Sequence, residues 1–127
     1  MEQRNQIMGL FDRWNAALQT GDVEQVAACY APEAVLLPTV SNQVRSDPNG
    51  IRDYFRHFLT LHPVGRLNQS HVRCHGEIAI NSGIYTFTLD GENGQRIDVP
   101  ARYTFVYRRD GDDWLIVEHH SSRMPEG

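Results

Sequence analysis

Apolar positions recur every three or four residues through the first part of the chain and every second residue through the last half. Ile7, Leu10, Phe11, Trp14 and Leu18 fall at helical spacing and predict one apolar helix face. Gly21 suits the left-handed residue that ends such a helix. Asp22 reads as the cap of a short second helix, with Val26, Ala27 and Tyr30 inward and Pro32 as its stop. Glu33 to Pro38 reads as a short apolar strand, and a polar loop, SNQVRSDPNG, follows it. Gly50 opens a third amphipathic helix carrying Ile51, Tyr54, Phe55, Phe58 and Leu61 on one stripe, ended by Pro63 and Gly65.

From Arg66 onward the period is two. Strands are expected over 71–75, 78–89, 97–109 and 114–122, with turns at Gly76-Glu77, Asp90–Gly94 and Asp110–Asp113. Four strands joined by tight turns make an antiparallel meander. Helices gathered first and strands second predict an α+β domain, with helices over one face of a curved sheet and an open-mouthed cone between them. At 127 residues the chain reads as a single domain over 1–127.

Composition removes several function classes. The net charge is −4, and no basic run suits a phosphate backbone, so no nucleic-acid partner is expected. No apolar stretch reaches about 18 residues, so no membrane partner is expected either. All 12 basic residues are Arg. Cys29 and Cys74 sit among apolar residues and read as buried free thiols. The N-terminal MEQRNQIMGLF lacks the pattern of a secretory leader, which makes a reducing cytoplasm the expected setting.

The last strand carries the candidate chemistry. It runs WLIVEHHSSR, so five polar residues end an apolar strand. Strict alternation sends Trp114, Ile116, Glu118, His120 and Ser122 to one face and Leu115, Val117, His119 and Ser121 to the other. His119 and His120 therefore diverge unless a bulge intervenes. A metal site built on that pair is not expected, even with His71 or His75 added from another strand. Glu118 and His120 share a face and form a candidate acid–base pair; a strand-end His at a subunit interface is the plainer reading. Arg102 stands mid-sheet between apolar neighbours. It reads either as an anchor for a carboxylate or as the partner of Glu118 or another acid in a salt bridge. Ser121 and Ser122 lie in no GxSxG elbow. GxGxxG and GxxxxGK[ST] are both absent, so no nucleotide cofactor, and no other cofactor, is expected.

Three segments together resemble a known family: ALQTGDVEQVAACYAPEAV, GIRDYF in the third helix, and YRRDGDDWLIVEHHSSRMP at the end. They resemble the NTF2-like (SnoaL-like) cone fold. Within it they are most similar to the association, or hub, domain of calcium/calmodulin-dependent protein kinase II and its bacterial stand-alone SgcJ/EcaC-like relatives. The resemblance implies assembly through the sheet, as a homodimer or a larger ring, and a deep pocket lined by arginines that takes a small carboxylate ligand. The pattern departs at the pocket: the hub arginines align with Ile84, Thr104 and Ser121. With Thr104 and Ser121 taken as pocket-facing, Arg102 and His119 become the expected pocket pair, lined by Thr104, Ser121 and Tyr54. His120 remains a secondary candidate should a bulge exchange the two histidines. Kinase HRD and DFG motifs are absent. The leading expectation is a homo-oligomeric module with a cone pocket for a small, anionic or carboxylate ligand, at least a dimer because the outer sheet face is expected to carry Tyr and Phe residues that need cover. Its rival is a cofactor-free cyclase, isomerase or dehydratase using His119 or His120, with Glu118, as general acid and base.

Overall fold

A computed structural model describes residues 2–39 and 41–126; Met1 and Gly127, the ends of the expected domain, lie outside the described residues. Two helices come first, α1 (Glu2–Thr20) and α2 (Val23–Ala27), then strand β1 (Tyr30–Leu37) and helix α3 (Pro48–Phe58), extended by a 3-10 turn at Leu59–Leu61. Strands β2 (Val64–His75), β3 (Ile78–Asp90), β4 (Arg96–Asp110) and β5 (Asp113–Arg123) follow. The fold is the expected α+β cone.

Local chemistry sets the boundaries. Gly21 adopts φ 72°, which ends α1, and the Asp22 carboxylate accepts from the Glu24 amide at 2.9 Å to start α2. The cap of α3 is Asp47, not Gly50: its carboxylate accepts from the Gly50 amide at 2.7 Å, and Pro48 occupies the first turn, where its missing N–H costs nothing. Pro32 does not end a helix; it lies within β1, an edge strand where a proline is tolerated.

The sheet order is β1-β5-β4-β3-β2. The meander β2 to β5 is antiparallel, as alternation predicts, and β1 adds to β5 in parallel, with Leu36 opposite His119 and Leu37 opposite His120. That pairing is non-local and leaves no mark in the sequence period. Strand β2 begins seven residues before the expected His71, and its pairing with β3 shifts at Asn68. Such a bulge bends a sheet, and here it curves the wall of the cone.

One face of the sheet packs under the helices. Ile7, Phe11, Trp14 and Leu18 of α1 and Ile51, Phe55 and Phe58 of α3 meet Tyr85, Phe87, Tyr103, Phe105 and Tyr107, all buried. This corrects the expected Tyr and Phe on an uncovered outer face. The outer face instead presents Ile80, Ile84, Val106 and Thr104, half-buried, among exposed Arg102, Glu118 and His120.

A second correction concerns β5. Val106 pairs with Glu118, but Tyr107 pairs with Ile116, so Val117 is an extra residue. That bulge breaks the alternation once. Trp114 and Ile116 thus share the core face with His119 and Ser121, while Glu118 and His120 turn outward.

Candidate functional site

Two of the expected pocket residues meet inside the cone, and a third lines it. His119 and Ser121 come from β5, Tyr54 from α3, and all three line one cavity with Trp14, Leu36 and Tyr85. Arg102 and Thr104 do not join them. Arg102 pairs across the sheet with Ser122, and Thr104 with His120, so both stand on the outer face, as does Ile84 opposite Arg102. The structure therefore separates Arg102 from His119 by the thickness of the sheet. The Arg102–Glu118 ion pair is absent among the described residues. Glu118 lies four residues along β5 from Ser122, roughly 13 Å at strand rise, beyond hydrogen-bond reach.

His119 is 3% exposed and stacks on Phe105 with ring centroids 4.1 Å apart. Trp14 meets its edge at 5.3 Å. Both imidazole nitrogens are engaged: Nδ1 lies 2.8 Å from the Tyr30 hydroxyl and Nε2 lies 3.1 Å from the Tyr85 hydroxyl. Trp14 Nε1–H donates to the Tyr30 oxygen at 3.1 Å. Beyond Tyr85 stand the Ser121 and Thr39 hydroxyls, which are hydrogen-bonded to one another.

The protons in this chain run one way. Indole N–H can only donate. The Tyr30 oxygen accepts from Trp14, so its own proton goes to His119 Nδ1. The reverse would leave a Tyr30 proton buried without a partner, at a cost of about 1–3 kcal/mol. His119 then carries its proton on Nε2 and donates to Tyr85. The Tyr85 hydroxyl proton is left for the Ser121 and Thr39 side, and those two hydroxyls line the cavity mouth. This assigns the tautomer from the hydrogen-bond accounting.

Electrostatics agree with a neutral chain. Burial, with a smaller contribution from His120, lowers the His119 pKa from 6.5 to about 3. Burial also raises Tyr30 and Tyr85, so both stay protonated. His119 has no carboxylate among its partners and carries no extra proton near neutrality. General acid–base chemistry by a His–Glu pair in the cavity is thus not what this arrangement provides. Glu118 and His120, the other candidate pair, face away from the cavity.

The cavity measures about 210 Å³ including its open mouth. Its enclosed part has room for roughly one water-sized atom. Aromatic rings form most of its wall, with Tyr54 and Phe58 stacked at 5.5 Å. Outside the mouth, an open groove of about 750 Å³ shares Pro38, Thr39 and Ser121 with the cavity and continues along Ser41, Asn42, His120 and Arg123. Arg45 braces that loop against α3, bonding Asp53 at 2.7 Å and the Gly50 carbonyl at 3.1 Å. No group of three or more His, Cys, Asp or Glu residues suited to a metal exists among the described residues. No described helix is long and apolar enough to cross a membrane.

Residue patterns left Trp14, Tyr30, Tyr85 and Thr39 out of the site. Trp14 and Tyr85 carry the same periodic signal as any core residue, and Tyr30 reads as the inward end of a helix. Nothing in the sequence distinguishes an aromatic residue that packs from one whose polar atom joins a relay.

A family model described as the calcium/calmodulin dependent protein kinase II association domain matches residues 3–125. A crystal structure of a Xanthomonas campestris protein assigned to that association domain is 52% identical, with a TM-score of 0.93, covering 96% of this chain and 88% of that one. A Streptomyces avermitilis protein of the NTF2-like family, provisionally assigned as a dehydratase, is 16% identical with a TM-score of 0.85, covering 98% of this chain and 99% of that one. An NTF2-like superfamily protein from Salmonella enterica is 17% identical, with a TM-score of 0.81 over 98% of this chain and 96% of that one. The last two share the fold. No curated protein matches. With the match spanning nearly its whole length, the chain belongs to the calcium/calmodulin dependent protein kinase II association domain family, built on the NTF2-like cone.

Proposed function

We propose that this protein is a self-associating module whose cone cavity binds a small organic molecule. The observation that carries the binding half is the relay from Trp14 to Tyr85, with the bonded Ser121 and Thr39 hydroxyls beyond it at the mouth of an otherwise apolar cavity. Binding sites combine apolar walls with a few convergent polar groups, and this cavity has that composition. The anionic character first expected of the ligand rested on Arg102, which stands on the other face. The two free thiols support a reducing, cytoplasmic setting.

The self-association half rests on the outer sheet face. The helices cover the inner face alone, and Ile80, Ile84 and Val106 form an apolar strip on the uncovered one. A second copy laid on this strip would bury it. Light scattering at micromolar concentration is expected to give at least twice the 14.5 kDa chain mass. Val106→Glu, which sets a charge on the strip directly opposite Ile80, is expected to return the protein to one chain. A wild-type mass of 14.5 kDa would contradict the self-association reading.

A further inference from the structure

Resting on the binding reading above, we infer that the cavity selects an uncharged ligand bearing a hydrogen-bond-accepting oxygen, a ketone or amide carbonyl, over a carboxylate. Three observations converge on that class.

The relay has a fixed polarity. Trp14 can only donate, and each link from Tyr30 through His119 and Tyr85 passes one proton outward. Ser121 and Thr39 share one proton between them, which leaves one hydroxyl proton to donate at the mouth. A ligand atom that takes up this proton must accept. Hydrogen bonds in series polarise one another, so this last donor is stronger than an isolated hydroxyl.

The pole is also uncharged. His119 stays neutral, burial keeps Tyr30 and Tyr85 protonated, and no arginine lines the enclosed cavity. A carboxylate drawn inside would lose its hydration with no cation to offset the loss. Arg123 belongs to the outer groove, where water screens it, and the Arg45 guanidinium, 6.0 Å from the Tyr54 ring centroid, is already held by Asp53 and the Gly50 carbonyl.

Size sets the third limit. The enclosed part has room for roughly one oxygen-sized atom, and the remaining space opens past Thr39, with the stacked Tyr54 and Phe58 rings in its wall. A carbonyl oxygen fits the enclosed end while a small flat or cyclic body occupies the mouth.

The test uses the whole protein and four probes of one shape: cyclohexanone, methylenecyclohexane, cyclohexanecarboxylate and cyclohexylamine. Each is titrated by protein-observed NMR, following the Trp14 indole and the Ser121 and Thr39 amides. Cyclohexanone is expected to bind at least tenfold more tightly than the other three. Thr39→Val is expected to remove that preference and Thr39→Ser to restore it, since serine keeps the hydroxyl. A variant that merely loosened the mouth would weaken all four probes together. Tightest binding by cyclohexanecarboxylate or cyclohexylamine, or equal binding by methylenecyclohexane, would overturn the ligand class while leaving the cavity a binding site. Failure of all four probes to perturb these signals would overturn the binding reading itself, and the inference with it.

Discussion

His119→Ala is expected to cost the chain about 3–5 kcal/mol of folding stability. Truncation leaves a cavity beside Phe105 and Trp14, whose rings touch the imidazole on its face and edge. It also strips Tyr30 and Tyr85 of a shared partner, leaving two buried hydroxyls short of a hydrogen bond. Its neighbour is the internal control: His120 is exposed on the opposite face, and His120→Ala is expected to change chain stability by about 0.5 kcal/mol or less. Denaturant unfolding of the two variants checks the pair. Equal losses would contradict the opposed faces of the two histidines. The same burial gives the wild type an acid-sensitive slope. In the folded chain His119 binds a proton only near pH 3, whereas unfolded it does so near 6.5. Between those values the unfolded state holds more protons, so stability falls as pH falls, by about 1.4 kcal/mol per unit for one group. The paired carboxylates Asp53 and Asp90, held low by Arg45 and by His62 with Arg96, add their share only in more acidic solution.

Gly83→Ala is expected to be nearly as damaging, by about 3 kcal/mol. A Cβ at this position would lie 2.2 Å from the Gln69 carbonyl oxygen and 2.7 Å from its carbon. Both are backbone atoms of the neighbouring strand, so relief requires the strands to separate. The crowding arises where the β2 bulge at Asn68 bends the chain inward. Next to it, the Tyr103 hydroxyl donates to the Gln69 carbonyl, and the Asn81 side-chain amide is hydrogen-bonded to Ser70 and Tyr103, fixing the bend from the inside. The substitution thus strains the curvature that opens the cone. Unfolding measurements on Gly83→Ala, with Gly76→Ala as a turn-position comparison that meets no atom within 4 Å, check the prediction. A small effect at Gly83 and a larger one at Gly76 would contradict it.

The elements were legible because their periods are strong. Ile7 to Leu18 could be only a helix face, and the meander announced itself through turns at Gly76, Gly94 and Gly111, all of which adopt positive φ. The parallel pairing of β1 with β5 was not legible, since it joins residues about 80 apart with no turn between them. The site was half legible. His119 and Ser121 stood out as polar residues ending an apolar strand, but their place in the pocket, with Tyr54, came from the family resemblance. Arg102 misled because counting by twos, anchored on Thr104, placed it inside. The outer face tolerates a charge between apolar neighbours because water reaches it. The bulge at Val117 explains why Trp114 and Ile116 share the core face with His119, and alternation alone cannot locate such an inserted residue.

A neutral His119 links two tyrosines in one fixed direction and so sets the direction of the donors toward the cavity mouth. Long-range nitrogen–proton NMR of the imidazoles tests this most directly. His119 is expected to hold its proton on Nε2, with Nδ1 unprotonated, and its signals are expected to stay unchanged from pH 8 to pH 5. A proton on Nδ1, or a titration of His119 near pH 6.5, would contradict it.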